Sequence, residues 1–178
     1  LDKTSLLHFS QKYKKLFQMK KISLSLLIFF TFGSLAAQNK SEKENVLKPI
    51  KQLFEGMRKA DTSMIRPCFH TSARMQTIAI NKENKPVVID ESLDRFLKAI
   101  ATPHPEIYDE KILKYEVKID DNLAAVWTEY EFYVGTRFSH CGVNAFQLAK
   151  NAENEWKIVQ VIDTRRKEPC KGQKKAKK

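Results

Sequence analysis

The segment Arg137–Lys150 holds the densest set of side chains able to do chemistry. Read as a strand, its even positions share one face: Phe138, His140, Gly142, Asn144, Phe146 and Leu148. Two polar groups among apolar neighbours form a pocket wall. Phe138 and Phe146 would enclose a small, partly apolar molecule, while His140 and Asn144 orient it by hydrogen bonds. Imidazole titrates near neutral pH, so His140 is also a candidate acid or base. The alternative is that both polar groups bond internally and serve structure alone.

The second candidate is Asp163, near the end of the closing segment Trp156–Arg165. Strict alternation groups Asp163 and Arg165 with Val159 and Val161, opposite Trp156, Ile158, Ile162 and Thr164. With Trp156 turned inward, Asp163 faces out and forms a surface ion pair with Arg165 or Arg166. A bulge would reverse this locally and set Asp163 beside His140 as an acid–base pair. Both readings stand at this stage. Tyr130 shares parity with Phe132, opposite Trp127 and Tyr133, and is a further ligand-binding candidate. His70, at the start of the first strand, is a candidate at the pocket mouth. His104, between two prolines, reads as an exposed loop residue.

Other chemistries lack their motifs. The three cysteines, Cys68, Cys141 and Cys170, have no CxxC spacing, so no zinc site is supported. Cys68 and Cys141 read as buried thiols, and Cys170 as free or paired between chains. The chain has no phosphate-cradling glycine loop, G-x-S-x-G, H-E-x-x-H or dinucleotide fingerprint, and only five glycines with which to build such loops. No metal and no cofactor is assigned.

The elements that must position these residues follow from periodicity. Val46, Ile50, Leu53 and Met57 recur at helical spacing, widened by Leu47 and Phe54, so 43–60 reads as a first helix. Asp61 caps a short second helix burying Met64, Ile65 and Phe69. Phe69–Ala79 reads as a strand, Val87–Ile89 as a short one, and a third helix capped by Asp90 buries Leu93, Phe96, Leu97 and Ile100. Beyond Ile107 the period changes to two. Ile112–Ile119, Leu123–Val134, Arg137–Lys150 and Trp156–Arg165 form a four-strand meander with turns at 120–122, 135–136 and 151–154. Helices followed by successive antiparallel strands predict an α+β fold, with the helices on one face of a curved, mainly antiparallel sheet.

The 178 residues fit one domain, and the formal charge of +11 is confined to the ends. Residues 1–37 carry net +5, residues 166–178 net +6, and residues 38–165 balance nineteen basic against nineteen acidic side chains. The excess therefore implies no folded nucleic-acid surface, and residues 168–178 read as a basic disordered tail. Met19-Lys20-Lys21, an apolar run to Gly33 and the small residues Ser34–Ala37 form a signal peptide over 19–37, cleaved after Ala37. The run is too short for a membrane span and polar residues follow it directly, so the expectation is an exported, periplasmic or secreted protein with no span after cleavage. Residues 1–18 read as an upstream extension, residues 38–42 as a linker and residues 43–167 as the domain.

Two segments carry a resemblance. Phe138-Ser139-His140-Cys141-Gly142-Val143-Asn144 and Trp156-Lys157-Ile158, continued by Asp163-Thr164-Arg165-Arg166, together with the element order, resemble the nuclear transport factor 2-like superfamily and its exported "putative lumazine-binding" branch. The resemblance spans about residues 42–167. It implies a cone of bent sheet closed by three helices, and a homodimer through the outer sheet face. It also implies a choice between a non-catalytic binding module, a plain scaffold with a filled cone, and an isomerase-, dehydratase- or cyclase-like enzyme in which His140 and Asp163 act on a carbon acid. Fold does not choose among these.

Overall fold

The structure, a computed structural model, describes residues 41–167 and residue 170. The expected upstream extension, the signal peptide and all of the basic tail except Cys170 lie outside the described residues.

Helix α1 covers residues 41–59, so residues 41 and 42, read as linker, are helical. Its buried stripe is Val46, Leu47, Ile50, Leu53 and Met57. Ala60, at φ 53°, ends it. Asp61 then caps α2 (Thr62–Ile65), its Oδ1 accepting the amides of Ser63 and Met64 at 2.9 and 3.3 Å. A 3₁₀ turn, Arg66–Cys68, leads into β1 (Phe69–Ile80), β2 (Pro86–Glu91) and α3 (Leu93–Ala101). The cap of α3 is Ser92 rather than Asp90. The Ser92 hydroxyl accepts the Arg95 amide, while Asp90 lies inside β2 and binds Arg74 and Gln76.

The meander follows as β3 (Tyr108–Asp120), β4 (Leu123–Val134), β5 (Arg137–Lys150) and β6 (Trp156–Arg166). The six strands form one sheet ordered β2-β1-β6-β5-β4-β3. All neighbours are antiparallel except β1 and β6, which run parallel. The helices close the inner face. Their apolar stripes meet Ala124 and Val126 of β4, Phe146 and Leu148 of β5, and Ile158 and Val161 of β6 in a single core. Trp127, on the opposite face of β4, is 49 % exposed. No helix among the described residues is long and apolar enough to cross a membrane.

The β1–β6 ladder shifts register between Phe69 and Arg74, and three single-residue bulges interrupt the meander, each leaving one residue without a cross-strand partner. Leu113 is the extra residue in β3, where Ile112 pairs with Tyr130 and Lys114 with Glu129. Ser139 is extra in β5, where His140 pairs with Phe132 and Phe138 with Tyr133. Val159 is extra in β6, where Ile158 pairs with Leu148 and Gln160 with Gln147. An unpaired residue reverses the facing of everything beyond it.

Cys141 and Cys170 form a disulfide, which corrects the reading of a buried Cys141 thiol and of Cys170 as free or intermolecular. The register explains it. Arg166 lies opposite Cys141, so the chain leaves the sheet beside that residue, and four positions later the two Cα atoms are 6.2 Å apart. Cys68 is the buried thiol expected; it donates to the Met64 carbonyl, and burial pushes its pKa up to about 11.

Candidate functional site

The inner face is not filled along its whole length. Between the helices and the outer half of the sheet lies a cavity of about 380 Å³. One wall is apolar: Leu53, Phe54 and Met57 of α1, Phe96 and Ile100 of α3, and Phe146 of β5. The other end is polar, and each group there owes its position to a local feature of the chain.

Glu110 is the most consequential. Reading alternation back from Tyr115, Val117 and Ile119 places Glu110 on the outer face. The Leu113 bulge turns it inward, opposite Phe132. Its Oε1 accepts a hydrogen bond from Asn144 Nδ2 at 2.7 Å. Desolvation opposes its ionisation, the Asn144 bond partly offsets that, and the Asp163 charge adds to it. The carboxyl is pushed up to about 7. The sequence reading missed this residue, because no periodicity marks a bulge.

Asn144 lines the cavity as expected, but both of its amide hydrogens are engaged, with Glu110 and with the Thr128 hydroxyl at 3.1 Å. It therefore orients Glu110 directly and has no amide hydrogen left for a ligand. His140 also lines the cavity, stacked on Phe132 with centroids 4.9 Å apart and edge-on to Tyr130 at 5.8 Å. Burial and the nearby Arg165 charge hold its pKa below the ordinary imidazole value, so the ring is neutral at pH 7. Its Nδ1 bonds the Ser139 hydroxyl at 3.1 Å.

The Val159 bulge gives Asp163 the inward orientation that strict alternation denies it. Asp163 sits opposite Asn144 and lines the cavity with a side chain 14 % exposed. The expected ion pair also forms, Arg165 Nε donating to Asp163 Oδ2 at 2.9 Å, but on the cavity side of the sheet. The same oxygen accepts the Tyr130 hydroxyl at 3.3 Å, and that hydroxyl also lies 3.0 Å from the Thr164 carbonyl. Tyr130 reaches across β5 because Gly142 has no side chain: a Cβ there would lie 2.8 Å from the phenol oxygen and 1.8 Å from the Thr164 carbonyl oxygen. Desolvation and the carboxylates around it drive the phenol pKa upward, so Tyr130 is a neutral donor. His140 and Asp163 thus share one cavity, but their hydrogen bonds go to Ser139, Tyr130 and Arg165 rather than to each other.

Two expected site residues lie elsewhere. The Ser139 bulge turns Phe138 to the outer face, where it packs edge-on against Tyr133 at 5.8 Å, outside the cavity lining. His70 is exposed at the start of β1, bonds the Ser72 hydroxyl at 2.8 Å and is not in the lining. Phe146 and Tyr130 are buried and line the cavity. His104 is half-buried rather than exposed, stacked on Tyr108 at 3.9 Å. Among the described residues no three His, Cys, Asp or Glu side chains are grouped to hold a metal ion.

This geometry sits on a known scaffold. A protein of unknown function from Shewanella baltica, described as NTF2-like, superposes with a TM-score of 0.54 at 19 % identity, over 72 % of this chain and 96 % of that one. A putative dehydratase of the NTF2-like family from Streptomyces avermitilis gives 0.56 at 12 % identity, over 72 % and 98 %. A putative ketosteroid isomerase from Shewanella frigidimarina gives 0.51 at 14 % identity, over 67 % and 94 %. At such identities these likenesses establish the fold, that of the nuclear transport factor 2-like superfamily. No curated protein matches the chain. Residues 41–162 match a family profile that covers α1 and every strand into β6, including the cavity wall from Leu53 to Val161, and the chain accordingly belongs to the family described as "putative lumazine-binding".

Proposed function

We propose that this protein binds a small, partly apolar molecule in the cavity. The observation that carries the reading is the 380 Å³ hollow itself, of ligand size, which joins an aromatic and aliphatic wall to a few fixed polar groups at one end. A scaffold with a filled cone would have no such space. Native mass spectrometry of protein purified from its own host tests it: the expected result is a bound small molecule lost on denaturation. Protein that retains nothing, and whose melting temperature no small aromatic probe raises, would overturn it.

A second reading, proton transfer on a carbon acid, is favoured by one observation. Glu110 Oε2 accepts no hydrogen bond from the described residues, and a pKa of about 7 suits an acid or base at neutral pH. The proton would then move on Glu110, with Asp163 committed to Arg165 and Tyr130. Deuterium uptake at carbon into the retained molecule, lost in Glu110→Gln, is the expected signature; unlabelled carbon in the native protein would exclude it. Export is part of the proposal. It is supported by the leader sequence and by the Cys141–Cys170 disulfide, a bond that persists in oxidising compartments. Exposed Trp127 on the outer face supports a homodimer through that face.

A further inference from the structure

Among the described residues the cavity lining contains three carboxylates, and only two are matched by a cation. Glu91 receives Arg95 through both oxygens, at 2.6 and 2.8 Å. Asp163 receives Arg165. Glu110, whose ionisation burial opposes, has only the neutral Asn144 amide as a bonded partner among the described residues. Arg165 reaches it merely as a more distant charge, and the opposing effect of Asp163 is the larger. Burial and the Arg165 charge both oppose a positive charge on His140. Nor can the carboxyl swing out to water without breaking the Glu110–Asn144–Thr128 chain of bonds. A desolvated carboxylate without a counter-charge is costly, and that cost is relieved by a ligand that brings one.

The surroundings favour a cation over any other remedy. Glu110 pairs across the ladder with Phe132, and Tyr108 lies two residues away on the same strand face. Both rings line the cavity, with centroids 5.8 Å apart. Aromatic faces beside a carboxylate attract an organic cation through the ring quadrupole as well as the charge. An anionic ligand would instead meet Glu110 and Asp163 with the Arg165 Nε–H already engaged. A neutral one would leave Glu110 either uncompensated or protonated.

We propose that the ligand is an organic amine, its ammonium group on Glu110 Oε2 beside Tyr108 and Phe132 and its apolar body against Phe54, Phe96 and Phe146. This rests on the binding reading above and names the chemical class the site selects. Three probes of one shape and different charge test it by isothermal titration calorimetry on the native chain: tryptamine, tryptophol and indole-3-acetate. At pH 8 tryptamine is expected to bind at least about tenfold tighter than tryptophol, with indole-3-acetate weakest. Because the amine needs the ionised carboxyl, tryptamine affinity should fall about tenfold between pH 8 and pH 6 while tryptophol affinity stays level. Glu110→Gln should erase the preference and leave tryptophol binding in place. Tryptophol or indole-3-acetate binding as tightly as tryptamine would overturn the amine class and leave the binding reading standing. A tryptamine preference that survives Glu110→Gln would overturn the placement on Glu110. Binding of none of the three would count against both readings. Should the variant not fold, the pH profile of the native chain decides.

Discussion

The two halves of the inner sheet face are built from the same strands and behave as opposites. Toward the β3–β4 turn, Ala124, Val126, Leu148 and Ile158 alternate regularly and meet α1 in close packing. Toward the other end, the strands cross the bulges at Leu113 and Val159, and the inner face becomes Glu110, Tyr130, Asn144, Asp163 and Arg165 around empty space. The fold keeps its stability in the first half and its chemistry in the second. Regular pleat gives a core, and each departure from regularity re-aims a polar side chain that alternation would have sent to solvent.

The comparison predicts that equal insults cost unequal amounts in the two halves. Ile158→Ala, at a fully buried position of the closed half, should lower stability by about 4 kcal/mol in urea denaturation, since neighbours held on three strands cannot collapse into the void. Phe132→Leu, beside existing empty space, should cost under about 1.5 kcal/mol. Equal losses at the two sites would erase the distinction.

This division also governs what the sequence disclosed. The limits of β4 and β5 and the element order were legible because they rest on period-two patterning bounded by turn residues, including Gly135 at φ 61°. The facing of His140, Asn144 and Phe146 was legible for the same reason. Phe138, Asp163 and Glu110 each lie just beyond an unpaired residue, and nothing in Leu113, Ser139 or Val159 announces that it will be skipped. Asp163 was open to both faces, Phe138 was assigned to the wrong one, and Glu110 was passed over. The disulfide was hidden because it depends on where β6 releases the chain.

Gly142 lies in the cavity half, opposite Tyr130 on one side and Arg165 on the other. A Cβ there would collide with a backbone oxygen, which cannot yield as a side-chain end can, so Gly142→Ala should cost about 3 kcal/mol and displace the Tyr130 hydroxyl from Asp163. Denaturation and the tyrosine hydroxyl proton resonance would check the two effects separately. A variant of native stability would mean that β5 and β6 part more easily than their ladder implies.

Glu110 should show the opposite sign. The folded carboxyl holds its proton to about pH 7 and the unfolded one releases it near 4.5, so between these values the folded state binds more protons. Stability therefore falls as pH rises through that window. Glu110→Gln carries no such penalty. Its advantage over the native chain should be absent at pH 4 and reach about 3 kcal/mol at pH 8, measured without ligand. A pH-independent difference would mean that the carboxyl is better solvated than its surroundings suggest.

The smallest effect is expected at Thr77, which faces Asp163 across β1 and β6 and lines the cavity. Its hydroxyl oxygen is buried and has no hydrogen-bond partner among the described residues, unlike Thr128, whose hydroxyl accepts from Asn144. Thr77→Val keeps the branched shape that β1 packs and removes only the unmatched polar atom. A buried polar atom without a partner costs about 1 kcal/mol, so the variant should gain that much in the empty protein. The Asn144 bond makes Thr128→Val a control that should lose a similar amount. If Thr77→Val is instead destabilising, its hydroxyl is already satisfied by water in the cavity, and the polar end is wetter than the unmatched Glu110 oxygen implies.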